Sequence, residues 1–453
     1  MDENLPGTSH LVVVSSRLPV ELDDRESWRR APGGLVSVLE PVLRDRPATW
    51  LGFLEAHADP PPEKVVGFEL AAVPISPIER KFALDGYCNQ TLWPALHGLD
   101  DHVEEDASWR RSYEFVQERT AHAIDRVAAP GAAVWLHDYQ VYGVGRHLAR
   151  LRPDLVVGLF CHTPVAARSL AHLRSGRAVA EDLRAMHFIG TQTAEDAESI
   201  RTFLGSGDPH GGRVRAMPVG FDGARWLGYR TDPVVTAMAT RYRGATGVTA
   251  VGVDRVDYTK GLLHKLNAVE YLLTSGTVTP DEFRLVQIAV PSRTGVPVYR
   301  YLNGQLEATA RRINGTFRRT DGKLVVELIR RQLPQREVAA VMRAGDLALI
   351  TPVRDGMNLV ALEFATLNGD RPSAVVIGAG AGVAPLIAPW SDVVDGGDVL
   401  GIADAIRHVL DRPEPDRQQR AAARAAEALR HAATDWAESF LDELLDAGAT
   451  TAA

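Results

Sequence analysis

The sequence predicts an α/β protein made of two doubly wound domains with parallel sheets, and three observations carry that prediction. Short apolar runs alternate with amphipathic segments along nearly the whole chain, as strands alternate with the helices that cross between them. The plan runs through the first half and then starts again. The length of 453 residues exceeds the roughly 100–200 residues of a typical single domain.

The first strand is Leu11–Ser15, an unbroken apolar run that ends on Ser-Ser-Arg-Leu-Pro. Ala133–His137, Val156–Cys161 and Met186–Gly190 follow as further strands, with helices over Tyr142–Leu151 and Ala194–Phe203. Continuous apolar runs of this length suit strands covered on both faces. In the second half the strands are Ala250–Val253, Arg284–Val290, Leu324–Leu328, Leu347–Thr351 and Ala374–Ile377, with helices starting near Lys260, Val298, Gln335 and Asn358. A seam falls at Phe221–Val234, where Gly, Asp, Arg and Pro cluster after the apolar Met217–Val219. Beyond Pro415 an Ala- and Arg-rich helical stretch, Arg417–Leu445, carries Trp436, Phe440, Leu441, Leu444 and Leu445 on one stripe. The domains expected are residues 1–228, 229–425 and a last helical segment, 426–453.

Fifty Lys and Arg against 58 Asp and Glu leave a net charge of −8, which argues against a broad basic face for nucleic acid. Two cysteines, Cys88 and Cys161, fit a reducing compartment and offer neither a disulfide framework nor a thiolate metal site. The first ten residues lack the charged and apolar regions of a signal peptide. The longest uncharged stretch, Ala374–Trp390, is broken by three glycines and two prolines, so it is a strand and loop rather than a membrane span. A cytoplasmic protein with no membrane partner is expected. Only five positive charges are lysines, Lys64, Lys81, Lys260, Lys265 and Lys323.

In open α/β sheets ligands sit beyond the carboxyl ends of the strands, so the loops that follow strands are the places to seek chemistry. Two such domains facing each other would receive a substrate between them. The sharpest segment is Gly252-Val-Asp-Arg-Val-Asp-Tyr-Thr-Lys-Gly261, where Arg255 and Lys260 flank a strand-to-helix turn. That spacing suits a diphosphate, and equally a pair of solvated cations. A lysine in so arginine-rich a chain suggests a need for a compact point charge. The second segment is Thr351-Pro-Val-Arg-Asp-Gly-Met-Asn-Leu-Val-Ala-Leu-Glu363. Gly356 permits close backbone approach, and the amides of Met357, Asn358, Leu359 and Val360 would face an anion. Asp355 is a candidate for sugar hydroxyls or a helix cap, and Glu363 for a ribose diol or an exposed helix face. In the first half His137-Asp-Tyr139 and Cys161-His-Thr-Pro164 each end a strand, and Ala31-Pro-Gly-Gly-Leu35 opens a helix. No two aspartates are separated by one residue and no His/Glu cluster is present, so no metal is expected.

Taken together these segments resemble the retaining glycosyltransferase family 20, from about Leu11 to Leu445. The resemblance rests on Val-Val-Val-Ser-Ser-Arg17, Gly33-Gly-Leu-Val36, Asn89-Gln-Thr-Leu-Trp-Pro94, Trp135-Leu-His-Asp-Tyr139, Phe160-Cys-His-Thr-Pro164, Gly190-Thr-Gln-Thr193, Pro218-Val-Gly220, Arg255-Val-Asp-Tyr-Thr-Lys-Gly261, Ile288-Ala-Val-Pro-Ser-Arg293, Arg312-Ile-Asn-Gly315 and Arg354-Asp-Gly-Met-Asn-Leu-Val360. It implies a GT-B fold, two facing Rossmann-like domains with the acceptor in the first, the nucleotide sugar in the second, and a C-terminal helix crossing back to the first. It implies that Arg255, Lys260, His162 and Asp355 form the catalytic set. Gly34, Met357, Asn358, Leu359, Val360 and Glu363 would bind the donor, and Arg17, Trp93, Asp138 and Arg293 the phosphorylated acceptor. The implied reaction is metal-independent transfer of a glycosyl group, glucose foremost, from a nucleotide diphosphate sugar to a sugar phosphate. Trehalose 6-phosphate made from glucose 6-phosphate is its leading form. No cofactor beyond the nucleotide sugar is implied, and a homo-oligomer stays open.

The sequence departs from the family pattern in four places, one of them His162-Thr-Pro-Val-Ala166, where the family has His-Ile-Pro-Phe-Pro. Leu84 stands where the family has a tyrosine for the acceptor phosphate, Gln140 replaces a histidine, and Gly378-Ala-Gly-Ala-Gly-Val-Ala-Pro-Leu386 lacks the family's acid. The alternatives are a pseudo-glycosyltransferase that joins a nucleotide-activated cyclitol to an amino-cyclitol phosphate, a glucosylglycerol-phosphate synthase, and a non-catalytic sugar-phosphate sensor.

Overall fold

The computed structural model describes residues 10–452 except 23–27, 32–33, 45, 57, 60, 62–66 and 206–212. The chain divides into two compact units, Met1–Gly220 together with Ala433–Ala453, and Phe221–Ala432.

In chain order the strands of the first unit are β1 (Leu11–Val14), β2 (Val20–Leu22), β3 (Trp28–Arg30), β4 (Ala48–Glu55), β5 (Glu69–Ile75), β6 (Ala133–His137), β7 (Val156–Cys161), β8 (Phe188–Thr191) and β9 (Val214–Ala216). Seven of them form one parallel sheet in the order β5-β4-β1-β6-β7-β8-β9, and β2 pairs antiparallel with β3. From β1 the chain winds outward through β4 and β5, then returns to β6 on the other side of β1. The winding therefore reverses between β1 and β6. Every residue of β1 and β6 is buried, because both faces of a parallel sheet are covered.

The second unit holds β10 (Val248–Arg255), β11 (Phe283–Val290), β12 (Val326–Ile329), β13 (Leu347–Ile350), β14 (Ala374–Gly378) and β15 (Asp392–Val394). Their order, β12-β11-β10-β13-β14-β15, reverses between β10 and β13 and is that of a dinucleotide-binding fold. Its core gathers Leu285, Leu347 and Val376 from the sheet with Leu266, Leu306 and Ile406 from the covering helices.

Each expected strand is present with ends shifted by a few residues. The Met186–Gly190 run starts instead at Phe188, and β10 continues to Arg255. The helix Gly223–Thr231 packs on the helix Val360–Asn368, as does Glu414–Ala428. The units therefore divide at 220/221 and 432/433 rather than at 228/229 and 425/426.

The helical stretch expected over Arg417–Leu445 is two helices, Glu414–Ala428 and Ala433–Ala452. They break at Leu429–Ala432, where Phe221 donates its amide to His431 O at 3.0 Å. The segments entering and leaving the second unit are thereby tied together. Within the first unit the last helix buries Trp436, Phe440, Leu441 and Leu444, whereas Leu445 is 42% exposed and lies off that stripe. Gly158 and Gly190 admit the helix: a β-carbon on Gly158 would lie 2.8 Å from Leu444, and one on Gly190 3.0 Å from Phe440. Cys88 and Cys161 are free and buried. Among the described residues, no helix is long and apolar enough to cross a membrane.

Candidate active site

In the first unit, the loops after β1 and β6 adjoin at the reversal of the sheet, where parallel sheets open a crevice for ligands. Arg17, just beyond β1, is exposed. Its backbone is held from two sides. Ser15 Oγ donates to Arg17 O at 2.6 Å and accepts from Trp50 Nε1 at 2.9 Å, while a β-carbon on Gly52 would lie 2.7 Å from the Arg17 carbonyl carbon. Gly34 opens the helix Gly34–Arg44; Gly33 lies outside the described residues.

Asp138 follows β6 with φ 71° and ψ 177°, a conformation that costs a non-glycine residue on the order of 1–3 kcal/mol. Its Oδ1 accepts from Thr163 N at 3.3 Å and Thr163 Oγ1 at 3.0 Å. Burial pushes its carboxyl up to about 6, and those hydrogen bonds pull the other way. His162, after β7, shares a 3.0 Å hydrogen bond between its Nε2 and His137 Nδ1. Burial lowers His162 to about 4 and His137 well below the usual range, so both imidazoles are neutral near pH 7. Behind them stand rings of the last helix: Trp436 lies 6.3 Å from His162 and 4.8 Å from Phe160 between centroids.

Trp93 is 5% exposed and packs 5.7 Å from the ring of Tyr139, the neighbour of Asp138. It follows a 13-residue π-helix, Arg80–Leu92, an element usually confined to single turns at functional sites. Tyr139 OH donates to Asn89 Oδ1 at 3.2 Å, and the Trp109 ring occupies the side-chain space of Gly86. Leu84 lies on this π-helix, half-buried.

In the second unit, the corresponding reversal lies between β10 and β13, and most of the donor-side candidates gather there. Arg255 ends β10 with an exposed side chain. A 3-10 turn, Tyr258–Lys260, and the left-handed Gly261 (φ 63°) lead into the helix Leu262–Thr274. Glycine is required at 261, because a β-carbon would lie 2.2 Å from Thr351 O at the end of β13. Lys260 Nζ donates to Asp355 Oδ2 at 2.5 Å. Asn358 Nδ2 reaches the same oxygen at 2.8 Å, and Asp355 Oδ1 accepts from Gly356 N at 2.9 Å. Asn358 is left-handed, φ 59°, which asparagine tolerates better than most residues.

The helix itself starts at Val360. Among the described residues no protein acceptor is recorded for the amides of Met357, Asn358 and Leu359. The small-residue loop after β14 lies against this turn: Asp355 N donates to Gly380 O at 2.9 Å, Gly382 N to Gly356 O at 2.7 Å and Val383 N to Met357 O at 3.0 Å. Glu363 stands one turn into the helix, half-buried. Burial pushes its carboxyl up to about 7.

Arg255, Lys260, Asp355, Met357, Asn358, Leu359, Val360 and Glu363 thus belong to one switch point. Arg17, Asp138, His162 and Trp93 belong to the first unit, with Asp138 and His162 drawn together through Thr163. Arg293, grouped with Arg17 and Trp93 for the acceptor, lies in the second unit. Its Nη1 donates to the buried Asp257 at 2.7 Å and to Tyr299 OH at 2.6 Å. The sequence alone points to neither Asp257 nor Tyr299. The available signal was an acidic residue set inside a cationic turn. Among the described residues, no three His, Cys, Asp or Glu side chains cluster as metal ligands do.

The profile of Glycosyltransferase family 20 matches residues 9–446. The chain belongs to glycosyltransferase family 20. A relative from Mycolicibacterium smegmatis named trehalose-6-phosphate synthase is 33% identical over 99% of this chain and 95% of its own. Among solved structures, the UDP-forming α,α-trehalose-phosphate synthase of Burkholderia vietnamiensis superposes with a TM-score of 0.88 at 26% identity, covering 98% of this chain and 99% of that one. The enzyme of Burkholderia xenovorans, solved in complex with glucose-6-phosphate, gives 0.85 at 26% identity, covering 96% of this chain and all of the other. The family's GT-B architecture matches the two Rossmann-like sheets described above. As a family 20 member, the protein is a retaining, nucleotide-sugar-dependent glycosyltransferase.

Proposed function

We propose that the enzyme transfers glucose from a nucleoside diphosphate glucose to glucose 6-phosphate, forming trehalose 6-phosphate with retention at the anomeric carbon. The observation that carries this reading is the second switch point, which brings together Arg255 at the end of β10, Lys260 held on Asp355, and the amides of Met357, Asn358 and Leu359, for which there is no protein acceptor among the described residues. A nucleoside diphosphate leaving group gains negative charge as the glycosidic bond breaks. Fixed cations and amides stabilise that charge without reorganising. Asp355 holds Lys260 in place and presents its carboxylate to sugar hydroxyls, and Glu363 takes the ribose diol. His162, kept neutral by burial, meets the donor sugar as a hydrogen-bonding group, and Gly34 lets the backbone approach the diphosphate. The leaving phosphate takes the proton of the attacking hydroxyl, so no pair of acidic side chains is needed.

Asp138 binds the acceptor sugar, and Arg17, Trp93 and Arg293 its phosphate. The names of the Mycolicibacterium and Burkholderia proteins, and the glucose-6-phosphate in one complex, support this acceptor. UDP-glucose is the first donor to test. Leu84 removes one hydroxyl from the phosphate grip and favours a second reading with a different phosphorylated acceptor. Mass spectrometry and NMR of products from a panel of nucleotide sugars and sugar phosphates decide between the two. Lys260→Ala is expected to lower turnover 10²–10³-fold, an activation cost of about 2.7–4 kcal/mol, with the fold intact by circular dichroism. Wild-type turnover in that variant would remove Lys260 from the mechanism.

A further inference from the structure

The turn that carries Lys260 and the segment that carries Arg293 share one buried carboxylate. Asp257 is fully buried and caps the turn Tyr258–Lys260: its Oδ1 accepts from Thr259 N at 3.2 Å, and its carbonyl accepts from Lys260 N at 3.1 Å. Its other oxygen faces the opposite way. Oδ2 accepts from Arg293 Nη1 at 2.7 Å and from Tyr299 OH at 3.4 Å. The Arg293 guanidinium also lies 5.3 Å from the centroid of the Tyr299 ring, and that ring packs 5.3 Å from Tyr258. Two further hydrogen bonds hold the segments in register, from the Ser292 Oγ hydroxyl to Val256 O at 2.7 Å and from Val256 N to Val290 O at 2.8 Å. Arg293 itself has φ 49°, a left-handed conformation that an arginine keeps only when its surroundings impose it.

Left to itself, an arginine side chain samples many rotamers, and ordering it on a ligand is costly. Here a buried anion, Asp257, and the hydroxyl and ring face of one tyrosine, Tyr299, hold the guanidinium before any ligand arrives. Preorganisation of this kind raises affinity by removing the ordering cost from the binding step. We propose that Asp257 and Tyr299 are the positioning residues of Arg293, making the diphosphate turn and the acceptor-phosphate arginine one rigid cationic unit. This inference rests on the reading of Arg293 as an acceptor-phosphate ligand. It adds the reason why an arginine placed beside a buried acid still serves an anion: the acid sets its direction, and the neighbouring cationic turn offsets the charge of the acid.

The test uses the full chain with UDP and glucose 6-phosphate as probes. Asp257→Asn keeps the size and an oxygen for the Thr259 cap but turns the partner of Arg293 from a charged acceptor into a neutral amide. Tyr299→Phe removes only the hydroxyl. Loss of one charge-assisted hydrogen bond is expected to weaken glucose 6-phosphate about tenfold or more, in KM and by calorimetry. The UDP dissociation constant is expected to stay within about threefold of wild type. If Asp257→Asn does not fold, Tyr299→Phe carries the test. Wild-type acceptor affinity in the folded variants, or equal loss of donor and acceptor affinity, overturns the inference, since a merely structural ion pair lowers the melting temperature without separating the two substrates. Wild-type protein that binds neither probe nor any sugar phosphate of the panel overturns the functional reading itself.

Discussion

Asp138, Arg293 and Asn358 are the non-glycine residues with positive φ among the described residues, and each is a candidate ligand residue on the sequence. Backbone strain collects where geometry is overdetermined, and here it follows strand ends in both units. The residue types were legible because chemistry is written in side chains: a lysine where arginine is the rule, an acid and a glycine before a helix. The conformations were not legible, since nothing in an aspartate or an arginine announces φ near 70° or 50°. The anchoring role of Asp257 was hidden for a related reason, as burial depends on which distant segment arrives. Glu363 has a consequence in solution. Its folded value of about 7 lies above the usual 4.5 because burial disfavours the charged form. The folded state therefore holds this proton more tightly than the unfolded chain, and stability falls as pH rises from 4.5 through 7. Glu363→Gln should remove that component of the decline. Ribose hydroxyls donated to the carboxylate would stabilise its charged form, so UDP binding at about pH 6.5 should release a fraction of a proton. Calorimetry in buffers of different ionisation heat reads that release. Heats independent of buffer in wild type, or unchanged proton release in Glu363→Gln, would take the ribose role away from this residue.

Burial on both faces made most strands legible, with two exceptions: β4, buried at six of its eight residues, was not among the expected strands, and the half-buried edge strand β12 was. β1, β6, β7, β13 and β14 appear in the sequence as apolar runs because both of their faces are covered. β5 contains Pro74 and lies at the sheet edge, with an irregular burial pattern. β9 and β15 are three residues each. β5, β9 and β15 carry too little pattern to announce themselves, whereas β12, also at an edge, was legible through its Leu-Val-Val-Glu-Leu run. The π-helix Arg80–Leu92 escaped because its turn is wider than the 3.6-residue period by which helices are recognised. The last helix was visible as an apolar stripe, but its reception was not. Gly158 and Gly190, on neighbouring strands, leave a trough into which Phe440 and Leu444 fit. Phe440 stacks on Trp135 with centroids 4.3 Å apart. Gly158→Ala places a methyl group 2.8 Å from Leu444, and overpacking of this kind costs about 1–3 kcal/mol. Chemical denaturation of Gly158→Ala should show that loss with the slope unchanged. A variant as stable as wild type would mean that the helix yields without resistance and is not held by close packing.

The two units differ in how the chain builds them. The second is a single continuous segment, Phe221–Ala432, whereas the first needs Ala433–Ala453 to complete Met1–Gly220. Both sheets reverse their winding beside their first strand, and such a reversal is where a parallel sheet opens a crevice for a ligand. In the second that crevice contains every proposed donor residue except Gly34 and His162. The segment Phe221–Ala432, produced alone, should therefore fold and bind UDP, with affinity within about tenfold of the full chain. Saturation at 100 times the dissociation constant should stabilise it by about 2.7 kcal/mol. Met1–Gly220 alone should fare otherwise. Without the last helix the rings of Trp135, Phe160 and Phe188 lose the partners that Trp436 and Phe440 supply, and loss of even one such buried ring costs about 3–5 kcal/mol. That fragment should aggregate or show near-ultraviolet dichroism without fixed tertiary packing, and adding a peptide of residues 433–453 should restore it. A folded second segment blind to UDP would place the nucleotide site outside the switch point of its sheet, and a well-folded Met1–Gly220 would make the returning helix dispensable.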